Sequence, residues 1–162
     1  MKTDKTLAMK VLEGRKVTYE VVPYPDNMRD AEEIAGVLGV PADQVFKTLV
    51  VLPPGTIGKA AKPLLVMIAA NRQLSLKKMA QEVGVKKVKM ASHQEAEKMT
   101  GLQVGGISAL ALLNKGFVIY LDASAHAYDA VYVSAGQKGL DVKVKVADLI
   151  KVTQAKMVDV TE

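Results

Sequence analysis

The chain contains no cysteine and only two histidines, His93 and His126, among its 162 residues. The absence of cysteine excludes disulfides, thiolate metal sites and a cysteine nucleophile, and it is compatible with a reducing compartment. Two histidines without cysteine do not favour a zinc site. The sequence also lacks a Gly-x-Ser-x-Gly elbow, a P-loop and a Gly-x-Gly-x-x-Gly fingerprint. We therefore expect neither a metal nor a bound cofactor.

Long apolar runs are missing as well. The longest, residues 64–70, is far too short to span a bilayer. The first residues carry no apolar signal-peptide core and no cleavage signature. These absences predict a soluble, cytoplasmic protein with no membrane partner.

The charge is mildly basic, because 22 Lys and Arg residues oppose 17 Asp and Glu residues, for a net charge of +5. Such an excess favours a polyanion such as nucleic acid and helps to steer it to the protein. Many soluble domains carry a similar balance without binding nucleic acid, so the charge alone leaves both readings open.

Apolar periodicity and turn residues predict an α/β chain. No repeat, low-complexity stretch or linker divides it, so we expect one domain over residues 1–162, with a mixed sheet flanked by helices. Strands are predicted at residues 17–22, 46–52, 64–70, 88–91, 117–121, 130–133 and 142–146. Helices are predicted after Thr3 or Asp4, Asp30, Pro41, Ser75 and Ser92, and at residues 147–152, with ends at Gly14, Gly39, Gly84 and Gly101.

Lys47 is the most informative charged residue, because it lies inside the apolar strand 46–52. Lysine is almost never fully buried without a partner. In a functional site its ammonium could hold a phosphate or polarise a carbonyl. Alternatively, its aliphatic stem could run along the sheet edge and carry the charge to water. The residues around it leave both placements open.

Two segments rich in small residues are further candidates. In the first, residues 105–108 (the glycine loop), Gly105 and Gly106 allow positive φ and close approach of another group. Successive N–H groups there could bind an anion or an oxyanion, although a tight turn or β-bulge would need the same glycines. The second segment, residues 133–141, follows a predicted strand, where loops often carry sites. It could equally be a hairpin turn, and a hairpin tip can also line a pocket.

Four sequence blocks together resemble the YbaK/EbsC family of aminoacyl-tRNA deacylases, which is related to the editing domain of bacterial prolyl-tRNA synthetases. The resemblance covers essentially the whole chain. It implies one α/β (α+β) domain with a curved mixed sheet and a pocket for the 3′-terminal aminoacyl-adenosine of tRNA. The blocks are Asp43-Gln-Val-Phe-Lys-Thr-Leu-Val, Leu76-Lys-Lys-Met-Ala with Val85-Lys-Lys-Val-Lys-Met-Ala, Thr100-Gly-Leu-Gln-Val-Gly-Gly-Ile-Ser, and Val131-Tyr-Val-Ser-Ala-Gly-Gln-Lys-Gly-Leu-Asp.

The resemblance further implies trans-editing, the hydrolysis of a mischarged tRNA, typically Cys-tRNA(Pro), with prolyl-tRNA synthetase as a candidate partner. The cysteine substrate of this family is thought to supply its own thiol for the attack, and a bound water is the other route. By position, the implied catalytic residues are Lys47, Gly105, Gly106, Ile107 and Ser108. The implied substrate-binding residues are Tyr24, Thr48, Ser134 and Asp141.

The chain departs from the family pattern in one place. Family members commonly read Gly-Gly-Ile-Ser-Pro-Leu-Gly, whereas Ala109 and Ala111 stand here at the proline and at the last glycine. Alanine lacks the fixed φ of proline and the freedom of glycine, so the preferred amino acid stays open. A second hypothesis is a non-catalytic module of the same fold that binds a tRNA acceptor end or a nucleotide.

Overall fold

The helices and strands follow one another along the chain in a mixed order. The structure, a computed structural model, describes residues 5–28, 30–54 and 62–162, so the proposed caps Thr3 and Asp4 lie outside the described residues. The helices are α1 (Leu7–Gly14), α2 (Ala31–Leu38), α3 (Leu76–Val83), α4 (His93–Thr100) and α5 (Val146–Thr153). The strands are β1 (Tyr19–Pro23), β2 (Phe46–Leu52), β3 (Leu64–Ala69), β4 (Lys89–Met90), β5 (Val118–Asp122), β6 (Ala130–Gln137), β7 (Leu140–Lys145) and β8 (Lys156–Val158). Short 3-10 helices cover Ala42–Gln44, Leu110–Lys115 and Ala123–Ala127.

Side-chain caps fix where the helices begin. Asp30, Ser75 and Ser92 each accept a backbone N–H from the first turn of α2, α3 and α4, as predicted. Ser92 and Glu95 form a reciprocal capping box, which satisfies two otherwise unpaired donors. Helix α1 is capped by Thr6. The same helices α2, α3 and α4 end at left-handed glycines, at the predicted positions Gly39, Gly84 and Gly101.

The strands form two sheets that are joined by a parallel bridge between Val45 and Tyr132. The smaller sheet has the order β1-β7-β6 and is antiparallel. The larger has the order β4-β2-β3-β5-β8, in which β2 runs antiparallel to β3 and β4, while β3, β5 and β8 are parallel. The predicted α/β fold with a mixed sheet and flanking helices is confirmed.

Strand β3 is buried along its whole length, as its unbroken apolar sequence predicts. Leu65 and Met67 pack into the main core, which also contains residues of α1, α5, β6 and β7. Val66 and Ile68 pack into a second cluster with Met79 of α3. The central strand therefore fixes β2 beside it, and with β2 the position of Lys47.

The hairpin of β6 and β7 corrects one prediction. Its strands are longer than the sequence predicts, and Ser134 and Asp141, which the sequence places in the segment that connects them, are paired partners across the hairpin. The register shifts between Ser134 and Gln137, where Gly136 has a φ of 95°. The small residues that suggested a loop are thus required by a bulge within the strand, and a bulge is not visible in local composition.

Candidate active site

A cavity of about 220 Å³ lies where the start of β2 meets the β6–β7 hairpin, helices α2 and α4 and the glycine loop. Its wall is largely apolar, which excludes water and strengthens electrostatic interactions with a bound group. The apolar residues include Ile34, Phe46, Val50, Met90, Val104 and Ile107. The polar side chains are Tyr24, Lys47, Thr48, His93, Ser134 and Asp141.

This cavity brings together most of the residues that the sequence singled out. Lys47, Gly105 and Ile107 line it, although Lys47 and Gly105 are far apart in the chain. All four residues named for substrate binding line it as well, namely Tyr24, Thr48, Ser134 and Asp141. Gly106 and Ser108 do not line it, and both are buried behind it. The catalytic and binding roles of these residues stay predictions.

Lys47 is half-buried and lines the cavity. Of the two placements that the sequence allows, this is the one in which the lysine forms part of a candidate site. Its Nζ donates a hydrogen bond to the carbonyl oxygen of Ala70 at 3.3 Å, which holds the side chain at the end of β3. A carbonyl is neutral, and no carboxylate among the described residues forms an ion pair with Lys47. Its positive charge is therefore available to an anionic or polarised group in the cavity.

The glycine loop is tightly constrained from one side. Gly105 has a φ of 95°, a conformation that favours glycine. A Cβ on Gly106 would lie 3.0 Å from backbone atoms of Gln137 and Lys138, so the turn of the β6–β7 hairpin packs directly against the loop. Both glycines are thus needed for shape, whatever the loop binds.

The N–H groups of the glycine loop are not equivalent. The N–H of Gly106 donates to the carbonyl oxygen of Gln103 at 2.8 Å and is already used. Gly105 and Ile107 line the cavity, and their N–H groups find no acceptor among residues 5–28, 30–54 and 62–162. Ser108 is 1% exposed, and its hydroxyl also lacks a partner within those ranges. Free donors at Gly105 and Ile107 can stabilise negative charge that develops in the cavity.

Asp141 and Tyr24 form the most deeply buried polar part of the wall. Burial raises the pKa of the Asp141 carboxyl to about 7. Burial and the nearby charge of Asp141 raise the pKa of the Tyr24 hydroxyl to about 12, so Tyr24 remains a neutral donor. That hydroxyl lies 3.4 Å from the carbonyl oxygen of Gly105, at the limit of a hydrogen bond. Tyr24 thus connects β1 to the glycine loop.

Among the described polar side chains that line the cavity, His93 is the one that the sequence did not predict. It is exposed and occupies the first position of α4, directly after the capping residue Ser92. In the sequence it stands between Ser92 and Glu95, the two residues of the capping box, and this position indicates only a helix start. No local signal links such a position to a cavity, because the link depends on how α4 packs against β2.

The comparisons with known proteins agree on one protein family. The family model described as the aminoacyl-tRNA editing domain matches residues 25–152. Over 159 residues, covering 97% of this chain and 93% of the relative, the chain is 33% identical to the "Putative Cys-tRNA(Pro)/Cys-tRNA(Cys) deacylase EbsC" of Enterococcus faecalis. It is 24% identical to the "Multifunctional Ser/Thr-tRNA deacylase ProXp-y" of Escherichia coli K12, covering 94% of this chain and 87% of that one.

The fold is also similar to solved structures. One is described as a "putative trans-editing enzyme for prolyl tRNA synthetase". It superimposes with a TM-score of 0.80 and 25% sequence identity, and the match covers 99% of each chain. The similarity therefore extends over the whole described fold and not over one motif.

Proposed function

Because the chain belongs to the aminoacyl-tRNA editing domain family, we propose that it is a trans-editing deacylase and that the cavity beside Lys47 is its active site. There it hydrolyses the ester between an amino acid and the 3′-terminal adenosine of a mischarged tRNA. The observation that carries the proposal is that one largely apolar cavity is lined by Lys47, which has no carboxylate partner among the described residues, and by Gly105 and Ile107, whose N–H groups find no acceptor there. The whole chain, residues 1–162, acts as one cytoplasmic domain.

The reaction needs stabilisation of negative charge at the ester carbonyl. When a nucleophile adds, the carbonyl oxygen becomes an oxyanion, and a single well-placed donor contributes on the order of 10²–10³ in rate. The N–H groups of Gly105 and Ile107 are the available donors, whereas Gly106 supplies the shape of the loop. Ser108 is buried and does not line the cavity, so we assign it no contact with the substrate. We assign these separate roles because the N–H of Gly106 already donates to Gln103, whereas the N–H groups of Gly105 and Ile107 have no acceptor among the described residues.

Lys47 positions the substrate. Its ammonium lies at the edge of an apolar wall, where a charge interacts strongly with a phosphate or with ribose oxygens. The hydrogen bond to Ala70 limits its movement, so the terminal nucleotide is held in register with the ester. The nucleophile itself is the thiol of a cysteine substrate or a bound water.

Cysteine attached to tRNA(Pro) is the substrate that we assign, on the strength of the deacylase relative that shares the full length of the chain. The family's proline is replaced by Ala109, yet Ala109 has a φ of −61°, the value that a proline would impose. Ala111 lies in the following 3-10 helix and is buried. The substitutions thus leave the loop in a proline-compatible shape, which supports an unchanged substrate class. Prolyl-tRNA synthetase is the partner that would hand over such a tRNA.

The test is a panel of mischarged tRNA(Pro) carrying cysteine, alanine or serine, with loss of the ester followed over time. We expect the wild-type protein to release cysteine fastest. Lys47→Ala should lower the rate at least tenfold, while the exposed Lys156→Ala, a matched removal of one lysine far along the chain in β8, should leave it within about twofold. An unchanged rate in Lys47→Ala would remove Lys47 from the site.

A binding module of the same fold is the competing function. It is favoured because Ser134 and His93, which both line the cavity, form no hydrogen bond with each other, and the Ser134 hydroxyl instead accepts from the N–H of Gly136. Such a module would bind tRNA with a steep dependence on salt and leave every ester intact. The same panel separates the two, because one function consumes the ester and the other does not.

A further inference from the structure

Asp141 carries a buried carboxyl group to which the proposed chemistry gives no role. It is 4% exposed and lines the cavity. It lies in β7, the central strand of the smaller sheet, where it is paired with Val22 of β1 on one side and with Ser134 of β6 on the other. Backbone pairing on both sides fixes the position of Asp141 in the wall of the cavity.

The Asp141 carboxyl has no partner in the part of the chain that the structure describes. No hydrogen bond or ion pair to its side chain is formed by residues 5–28, 30–54 or 62–162. Lys47, which lines the same cavity, donates instead to the carbonyl oxygen of Ala70. Burying a carboxylate without donors is costly, and buried carboxylates in proteins are normally paired. Asp122 illustrates the usual case, since it is equally buried but accepts hydrogen bonds from the N–H groups of Ser124 and Val160. The unpaired state of Asp141 therefore points to a partner that arrives with the ligand.

The chemistry of an aminoacyl ester supplies such a partner. Its α-ammonium group is attached to the carbon next to the ester carbonyl, and it is the only cation at the otherwise anionic end of the tRNA. Asp141 is the only carboxylate among the described residues that line the cavity. Resting on the proposed function, we propose that Asp141 binds the α-ammonium group of the aminoacyl ester and selects substrates whose amine is free.

This contact would complete the orientation of the substrate. Lys47 attracts the nucleotide end, Asp141 holds the amine, and the ester between them faces the N–H groups of Gly105 and Ile107. A hydrogen bond between ions is both stronger and more directional than one between neutral groups. An N-acylated amine is neutral and bulkier, so acylated substrates, including peptidyl esters, lose the contact and are rejected.

Non-hydrolysable ligands test this inference without relying on turnover. The probes are 3′-deoxyadenosine carrying alanine through a 3′-amide and the same compound with its α-amine acetylated, measured by calorimetry. We expect the wild-type protein to bind the free-amine compound about 10- to 100-fold more tightly, the range given by a hydrogen bond to a charged group. Asp141→Asn, which keeps the shape and removes the charge, should bind both with similar affinity. Asp159→Asn removes an exposed carboxylate and should retain the wild-type ratio.

Several results would overturn the inference. Equal affinity of the wild-type protein for the two compounds, or an undiminished preference in Asp141→Asn, would each do so. The wild-type comparison stands even if Asp141→Asn fails to fold. If Asp141→Asn slowed hydrolysis of free and acetylated aminoacyl-tRNA by the same factor, Asp141 would transfer a proton instead of binding the amine. A preserved preference for the free amine with no loss of ester on any tRNA would support the Asp141 contact and refute hydrolysis.

Discussion

Replacing Asp141 with asparagine should make the stability of the protein less sensitive to pH. Aspartate and asparagine have the same shape, so the substitution removes the titration of the buried carboxyl and leaves the packing in place. Burial raises the pKa of Asp141 from an ordinary 3.8 to about 7. The folded protein therefore holds a proton between these two values that the unfolded chain releases.

The sign follows from this difference in proton binding. Where the folded state binds more protons than the unfolded state, the free energy of unfolding falls as the pH rises. The contribution of the protonated carboxyl is fully present below about pH 4 and is lost as the pH passes through about 7. At about 1.4 kcal/mol for each pH unit, the loss across this window has a ceiling of roughly 4 kcal/mol.

Urea denaturation at pH 4.5, 6 and 8 measures the effect. The amide that Asp141→Asn introduces brings its own unpaired donors, a cost of about 1–3 kcal/mol that does not change with pH. The informative quantity is thus the slope: the free energy of unfolding of Asp141→Asn minus that of the wild type should increase steadily from pH 4.5 to 8. Asp159→Asn controls for the change in net charge. A difference that stays flat, or that declines toward pH 8, would refute the account of Asp141 as a buried, unpaired carboxyl.

Three further substitutions test the glycine loop and the cavity. Gly106→Ala should destabilise the protein by about 1–3 kcal/mol in urea, because its Cβ would meet backbone atoms of Gln137 and Lys138 at 3.0 Å; Gly36→Ala in α2, with nothing within 4 Å of its Cβ, should not destabilise it. Ala109→Pro should raise the free energy of unfolding by about 0.4–1 kcal/mol and leave the rate of ester loss within about twofold, because Ala109 already has a φ of −61°; a lost fold would show that the loop excludes the family's proline. Lys47→Arg should recover only part of the rate lost in Lys47→Ala, because the longer, planar guanidinium places its positive charge differently from the Nζ that contacts Ala70.

Features that depend on neighbouring residues could be read from the sequence. Ser92 and Glu95 specify the start of α4 because both partners of the capping box lie within one turn. The apolar run of β3 likewise predicted a strand buried on both faces. In contrast, β8 has only three residues, and its pairing with β5 depends on a contact across the fold. The extension of β6 was missed for the same reason, since Gly136 serves a bulge that exists only beside β7.

The candidate site likewise has features that the sequence indicates locally and features that depend on how distant segments pack. Lys47 and the glycine loop are candidates from the sequence, because a lysine inside an apolar strand and two adjacent glycines can be noticed locally, although each also has a structural explanation. Which loop N–H groups are free could not be predicted, since it depends on the hydrogen bond that Gly106 makes to Gln103. The position of His93 at the cavity also depends on packing, because nothing in its local sequence connects α4 with β2.

The central claim is that the cavity beside Lys47 cleaves an aminoacyl ester, and a single-turnover experiment tests it most directly. Excess protein is mixed with Cys-tRNA(Pro), and free cysteine and intact ester are quantified over time. Our account predicts that cysteine appears in step with the loss of ester, much faster than in buffer, and that Lys47→Ala slows both. Binding of the tRNA with an ester lifetime equal to that in buffer would contradict it.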